Sequence, residues 1–337
     1  MKNPNPPFSR KYIKTIPVLL KWIFITTALL LHCAAPAQVV DNTAAFTQIS
    51  DNAWFRFHYD NDFFTATDDY YTQGITLEFV HPALKKNPLS KLLIQPRHST
   101  VHYGIRADHY GYTPSTIRSD VILYGDRPFC SNLSISTFSI ATDTLRRSRI
   151  STTLVLGIMG PAAGSEGMQK AIHRWLDNIP PLGWQHQIKN DVILNYQIDW
   201  EQGLWKNGNW LLLNGGANAR FGTHTNRIRA GLTAIVGRMN DPFRAGEKTK
   251  RWRAYLYVRV QPGFTVYDAT LQGGLFNRSS PYVIASSDLT RLTIQGDFGF
   301  VLGIGKLYLE YCQSAITKEF DTGLTHRWGG IRIGTGF

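Results

Sequence analysis

Two groups of residues in this chain have the types that hydrolytic chemistry needs: a run rich in carboxylates and amides, and a histidine far from it in sequence. Asp60-Asn61-Asp62-Phe63-Phe64 is followed closely by Thr67-Asp68-Asp69-Tyr70-Tyr71-Thr72-Gln73-Gly74. Carboxylate, amide and hydroxyl oxygens bunched in this way are hard ligands, suited to Ca2+ and unsuited to a thiolate-seeking metal. For Thr67–Asp69 a polar hairpin loop is an equally good account. Asn61 and Asp62 lie within a strand-like run, which points them toward a lumen or a site. His173 stands in the segment Glu166–Asp177, with Arg174 next to it and Gln185, Gln187 and Asn190 beyond. A histidine titrates near neutrality and can take a proton from water, provided a neighbour fixes its tautomer. A surface histidine on a helix is the plainer alternative. No G-x-S-x-G and no H-E-x-x-H occurs, so the common serine-esterase and zinc-protease signatures are absent. Gly125-Asp126-Arg127-Pro128-Phe129, taken by itself, is a turn with a charged pair.

The elements that must position these residues read as strands. Period-two alternation recurs in segments of about ten residues, as membrane-spanning strands require. The candidates are Ala53–Tyr59, Tyr71–Val80, Ser99–His109, Ser131–Ala141, Arg149–Ile158, Gln187–Trp200, Trp210–Phe221, Arg227–Arg238, Trp252–Phe264, Thr290–Leu302, Lys306–Ala315 and Trp328–Phe337. This is an even count of about twelve. The expected fold is all-β, a closed antiparallel transmembrane barrel, because in a bilayer every backbone N–H and C=O must be satisfied within the sheet. Trp252, Tyr255 and Tyr257, like Leu307, Leu309 and Tyr311, mark its apolar positions, and Trp54, Trp200, Trp205, Trp210 and Trp328 fall near strand ends, where interfacial aromatics belong. One stretch departs from the pattern: after Gly157-Ile158-Met159-Gly160-Pro161 a short helix is expected over Glu166–Asp177, between strands 5 and 6, closed by Pro180-Pro181 and Gly183. Closure does not require such an insertion, and irregular structure of this kind usually serves function.

The N-terminus reads as a secretory signal peptide over residues 1–37, with 38–337 as the barrel. Basic residues, an apolar stretch over Ile16–Leu31 and Ala35-Pro36-Ala37 follow in the order export requires. The alternative is a membrane anchor, which Lys21 and the short apolar core disfavour. Cys33 raises a lipoprotein site, but His32 before it fits that poorly. Without the leader's five cations the formal charge falls from +12 to +7. A basic chain suits a polyanionic surface such as lipopolysaccharide phosphates, and ordinary solvated Lys and Arg explain the charge as well. No nucleic-acid partner is expected. Cys130 and Cys312 permit one disulfide without requiring it. Phe337, preceded by Ile331, Ile333 and Thr335 at alternate positions, is similar to the terminal signal read by the outer-membrane assembly machinery.

In combination these motifs resemble the outer-membrane lipid A 3′-O-deacylases, the LpxR family. The matching pieces occur in the family's order: Asn61-Asp62; Tyr71-Thr72-Gln73-Gly74; Tyr112-Thr113-Pro114; Gly125-Asp126-Arg127-Pro128-Phe129; Gly157–Gly164 leading to His173; Gly183-Trp184-Gln185-His186-Gln187; and Thr270-Leu271-Gln272-Gly273-Gly274. The resemblance implies a twelve-stranded outer-membrane barrel of a Gram-negative bacterium and Ca2+-dependent hydrolysis of the 3′-linked acyloxyacyl group of lipid A. It implies an active site formed by strands 1 and 2 with the segment 157–190, in which His173 is the general base and Asn61, Asp62 and Thr72 hold the cation and the oxyanion. Arg127, Arg118 and Gln187 are then expected to meet the substrate's phosphate or sugar groups. Where the family pattern has an acidic residue, this chain has Ile179, and either Asp177 orients His173 instead or that part of the site is altered. A phospholipase using the same chemistry, and a barrel without catalysis serving as a channel or binding protein, are the competing functions.

Overall fold

The computed structural model describes residues 42–49, 51–65, 70–244 and 250–337; the expected leader and Thr67–Asp69 lie outside the described residues. Among the described residues twelve antiparallel strands close into one barrel, each paired with its sequence neighbour and the first with the last. They are β1 (Trp54–Asn61), β2 (Tyr71–Val80), β3 (Thr100–Tyr112), β4 (Cys130–Asp143), β5 (Ser148–Met159), β6 (Asp191–Asn207), β7 (Leu211–Gly222), β8 (Thr225–Arg238), β9 (Trp252–Asp268), β10 (Leu292–Ile304), β11 (Leu307–Ile316) and β12 (His326–Gly336). Closure is made by β1 on β12, from Trp54 opposite Gly336 to Asn61 opposite Gly329. No helix among the described residues is long and apolar enough to cross a membrane. Crossing is the work of the strands.

Alternation sorts the side chains as a bilayer demands. Along β9, Trp252, Leu256 and Val260 are exposed while Arg253, Tyr255, Tyr257 and Arg259 are buried in the lumen. Tyr255 and Tyr257 thus face inward, opposite to Trp252, because they differ from it by an odd number of residues. The lumen is filled with paired charge: Arg56–Glu78 at 2.6 Å, Arg106–Asp108 at 2.8 Å, Arg259–Asp297 at 2.8 Å, and Arg332 with Glu310. Several strands run past their expected ends, β6 to Asn207 and β9 to Asp268. The Glu201-Gln202 stretch of β6 blurs the hydrophobic pattern, yet the ladder to β7 continues through an irregularity between Gly203 and Trp205. Gln187, expected to open the sixth strand, precedes it, since Ile188 donates its N–H to the Phe129 carbonyl in a loop.

The two ends differ. β4–β5, β6–β7 and β10–β11 are joined by short turns, the mark of the periplasmic end, where β2–β3 and β8–β9 have longer connections, while the β3–β4, β5–β6 and β9–β10 connections are long at the other, outer end. Near the periplasmic end, Asn42–Ile49 lies inside the barrel. Its carbonyls at Asn42 and Thr47 accept from Arg56, at Thr43 from Arg149 and at Phe46 from Tyr255, and the Phe46 ring stacks on Tyr257 at 3.9 Å. Cys130 and Cys312 are both buried and unpaired, so the permitted disulfide is not formed. The Phe337 N–H bonds the Ala53 carbonyl at 3.1 Å, which ties the end of the chain to the start of β1.

Candidate functional site

The insertion between β5 and β6 builds one wall of the site. Gly160 turns the chain with φ of 91°, in a place where a Cβ would sit 2.6 Å from the Asn190 backbone nitrogen, so a side chain there is excluded twice over. Helix α1 follows over Ser165–Trp175, two residues shorter than expected at its C-terminal end. Its polar face carries Ser165, Gln169 and His173, one turn apart, and the first two are buried against the barrel wall. Ser165 is pinned at the helix start: its N–H donates to Ser131 Oγ at 3.2 Å, and Ser131 Oγ donates to Gln187 Oε1 at 3.1 Å. On the outer side Glu166 and Lys170 make an exposed i,i+4 pair, which adds little to stability.

Gln169 joins three elements. Its Nε2 donates to Thr72 Oγ1 on β2 at 2.7 Å, and its Oε1 accepts from the Trp184 indole N–H at 2.7 Å. Indole nitrogen can only donate, so the orientation of this amide is fixed. The Thr72 hydroxyl, already accepting from Gln169, keeps its own hydrogen for another partner. Trp184 is buried and packs its ring on Phe129 at 4.8 Å. On the other side of Thr72, Asn61 Nδ2 donates to the Thr72 carbonyl, while Asn61 Oδ1 accepts from the Phe63 N–H at 2.8 Å. Asn61 closes β1 and Asp62 opens the 3-10 turn after it.

Helix α1 ends in a turn that determines the state of His173. The Asn178 N–H reaches back to the His173 carbonyl at 2.8 Å and the Asp177 N–H to the Arg174 carbonyl at 3.3 Å. Asp177 sits at φ of 51°, the left-handed conformation that this Schellman arrangement requires. The chain then doubles back, and the Ile179 carbonyl lies 2.6 Å from His173 Nδ1. A carbonyl only accepts, so Nδ1 carries the hydrogen and, in the neutral ring, Nε2 is the nitrogen left to accept a proton. Asp177 does not orient His173; the backbone of Ile179 does, at the position where the expected acid is missing. Asp177 serves the turn instead.

Two other expectations are corrected. Arg127, expected to meet the substrate, is 1% exposed and held inside the loop cap: Nη1 pairs with Glu319 at 2.6 Å, Nη2 donates to Thr270 Oγ1 at 2.8 Å, and the guanidinium lies 3.9 Å from the Tyr112 ring centre. Burial alone would lower its pKa, but Glu319 and Tyr112 outweigh that and hold it above the ordinary arginine value. Its positive charge is therefore spent on tying the 113–129 loop to the 317–325 loop. Gln187 is buried as well and anchors the start of α1 through Ser131, which leaves it no face for substrate. Arg118 is exposed in the 113–129 loop with no side-chain partner among the described residues, and it alone of the three is free to meet an anion.

The donors proposed for a cation fit Ca2+ by type. Asn61, Asp62 and Thr72 offer an amide, a carboxylate and a hydroxyl or carbonyl oxygen, and Asp62 is only 5% exposed. Among the described residues no three His, Cys, Asp or Glu side chains group to hold a metal. With a single carboxylate such a set belongs to the weak class of Ca2+ sites, with Kd on the order of 10⁻⁴–10⁻³ M. Gln169 and the Ile179 carbonyl were not legible as site groups beforehand. The signal for Gln169 was its place four residues before His173 on one helix face; a backbone carbonyl leaves no such trace.

The family model described as outer membrane protein LpxR matches residues 23–337. Among solved structures, LpxR from Salmonella typhimurium is similar with a TM-score of 0.68 at 18% sequence identity, covering 84% of this chain and 100% of that one. The β domain of the Bordetella autotransporter BrkA is similar with a TM-score of 0.44 at 8% identity, covering 86% and 100%. A comparison with curated proteins finds no match.

Proposed function

This chain belongs to the LpxR family of outer-membrane proteins, and from that premise we propose that it is an ester hydrolase removing the 3′-linked acyloxyacyl group of lipid A, with His173 as general base. The observation that carries the proposal is the 2.6 Å contact of His173 Nδ1 with the Ile179 carbonyl, which leaves Nε2 as the proton acceptor. A water donating to Nε2 gives up its proton there as its oxygen adds to the ester carbonyl, whose π electrons move onto oxygen. Collapse of the tetrahedral species breaks the bond to the sugar oxygen, which takes the proton back from Nε2. One water is consumed, and a carboxylic acid and a sugar hydroxyl are released. The Thr72 hydroxyl hydrogen, left over by the Gln169 contact, is the donor this chain supplies to the developing oxyanion. Ca2+ held by Asp62, Asn61 and Thr72 would add Lewis-acid stabilisation of the same charge.

The test uses refolded protein and purified lipid A in mixed micelles. His173→Ala is expected to lower the hydrolysis rate by about 10²- to 10⁴-fold, with the heat-modifiable migration of the barrel unchanged because the residue lies off the ladder. EGTA is expected to suppress the wild-type rate and excess Ca2+ to restore it. Full activity of His173→Ala would remove the base from the mechanism, and indifference to EGTA would remove the metal.

A further inference from the structure

Near the outer mouth of the lumen two arginines stand side by side with no acid between them. Arg220 on β7 and Arg227 on β8 are directly paired in register, so their side chains share one face. That face is lumenal: Arg220 lines a small cavity of about 30 Å³ with Arg106, Asp108, Tyr110, Asn195 and His224. Arg227 is 5% exposed, yet it makes no hydrogen bond or ion pair with any described residue, and its Nε is enclosed without a partner. Arg220 finds only a neutral acceptor, Gln197 Oε1 at 2.6 Å.

Among the described residues no neighbouring carboxylate bonds either guanidinium directly, and Asp268 acts on Arg227 only through its charge. Asp108 is committed to Arg106 at 2.8 Å and to Thr76 at 2.8 Å. Asp268 takes the Thr270 N–H and hydroxyl, capping the short helix α2 (Ala269–Gln272). His224 is engaged by Asn132 and Thr225. Like charges directly opposite on a sheet destabilise it, and a buried guanidinium without a partner costs more again. Arg56, Arg106, Arg259 and Arg332, by contrast, each have a carboxylate in contact. Two guanidinium groups side by side on the lumenal face, Arg220 lining the cavity and Arg227 in register beside it, match the oxygens of a phosphate group, the ligand such forks hold best.

We propose that Arg220 and Arg227 form a lumenal binding site for a phosphate-type oxyanion, separate from the His173 site. The proposal is independent of the hydrolase reading. The test is urea unfolding of the refolded full-length protein in zwitterionic micelles, with inorganic phosphate or chloride at equal ionic strength. Phosphate at a hundredfold excess over its Kd is expected to lower the unfolding equilibrium constant about a hundredfold. Arg227→Met is expected to abolish that dependence while leaving stability in chloride equal to wild type or higher, since it removes the unpaired charge. Arg220→Gln serves as a second variant with the same expected loss. A parallel arm replaces free phosphate with micelles carrying phosphatidic acid. A response to free phosphate assigns the site to a solute ion, and a response to phosphatidic acid alone assigns it to a lipid headgroup. Equal wild-type unfolding in every anion, or a full phosphate response in Arg227→Met, would overturn the proposal.

Discussion

The atom opposite Nδ1 of His173 is the Ile179 carbonyl, and this contact is what supports the proposal that the residue serves as a base. The same reasoning applies to Gln169, whose single amide holds Thr72 on one side and Trp184 on the other. Gln169→Ala strands a buried indole N–H and frees the Thr72 hydroxyl to turn; an unsatisfied buried polar group costs about 1–3 kcal/mol. The rate of ester hydrolysis is expected to fall about tenfold or more, mainly in kcat, and a steady-state assay across lipid A concentration checks it. An unchanged kcat would mean that Thr72 does not act through this contact. At this scale the resemblance to the family singled out Asn61, Thr72 and His173, and the structure brings Asn61 against Thr72 and links Thr72 through Gln169 to the helix that carries His173. The role of Arg127 was not, because a Gly-Asp-Arg-Pro-Phe turn shows a charge without showing that Glu319, 192 residues later, will consume it.

The elements explain why Asp177 misled. Read as a carboxylate four residues after His173, it looked like an orienter; in place, it is the left-handed residue that ends α1. Glycine adopts that conformation with less strain than aspartate. Asp177→Gly is therefore expected to keep activity within about twofold and to match or slightly raise thermal stability. Asp177→Val is expected to lose both, because a β-branched residue resists positive φ. A tenfold loss in Asp177→Gly would restore the carboxylate to the mechanism. The strands themselves were readable because period-two alternation follows directly from having lipid on one face and a polar lumen on the other. Their ends were not, since β6 and β9 continue past the membrane-like pattern where backbone pairing outlasts hydrophobicity.

Over the whole molecule, the barrel is occupied along its length. Asn42–Ile49 fills the lumen near the periplasmic end, ion pairs between adjacent strands such as Arg56–Glu78 and Arg259–Asp297 line its wall, and the loops joined by Arg127 and Glu319 meet at the outer end. No sequence pattern announced that the segment before β1 folds inward, because its contacts are made by backbone carbonyls to Arg56, Arg149 and Tyr255. Reconstituted in planar bilayers, the protein is expected to show no porin-like conductance steps, whereas steady steps would favour the channel reading over the hydrolase. The central claim is tested most directly by mass spectrometry of lipid A from a Gram-negative host expressing either the wild-type chain or His173→Ala. The account predicts that wild type removes one acyloxyacyl unit from the 3′ position and that His173→Ala, present in the outer membrane at equal level, leaves lipid A intact. Unaltered lipid A with the folded wild-type barrel in the outer membrane would contradict it.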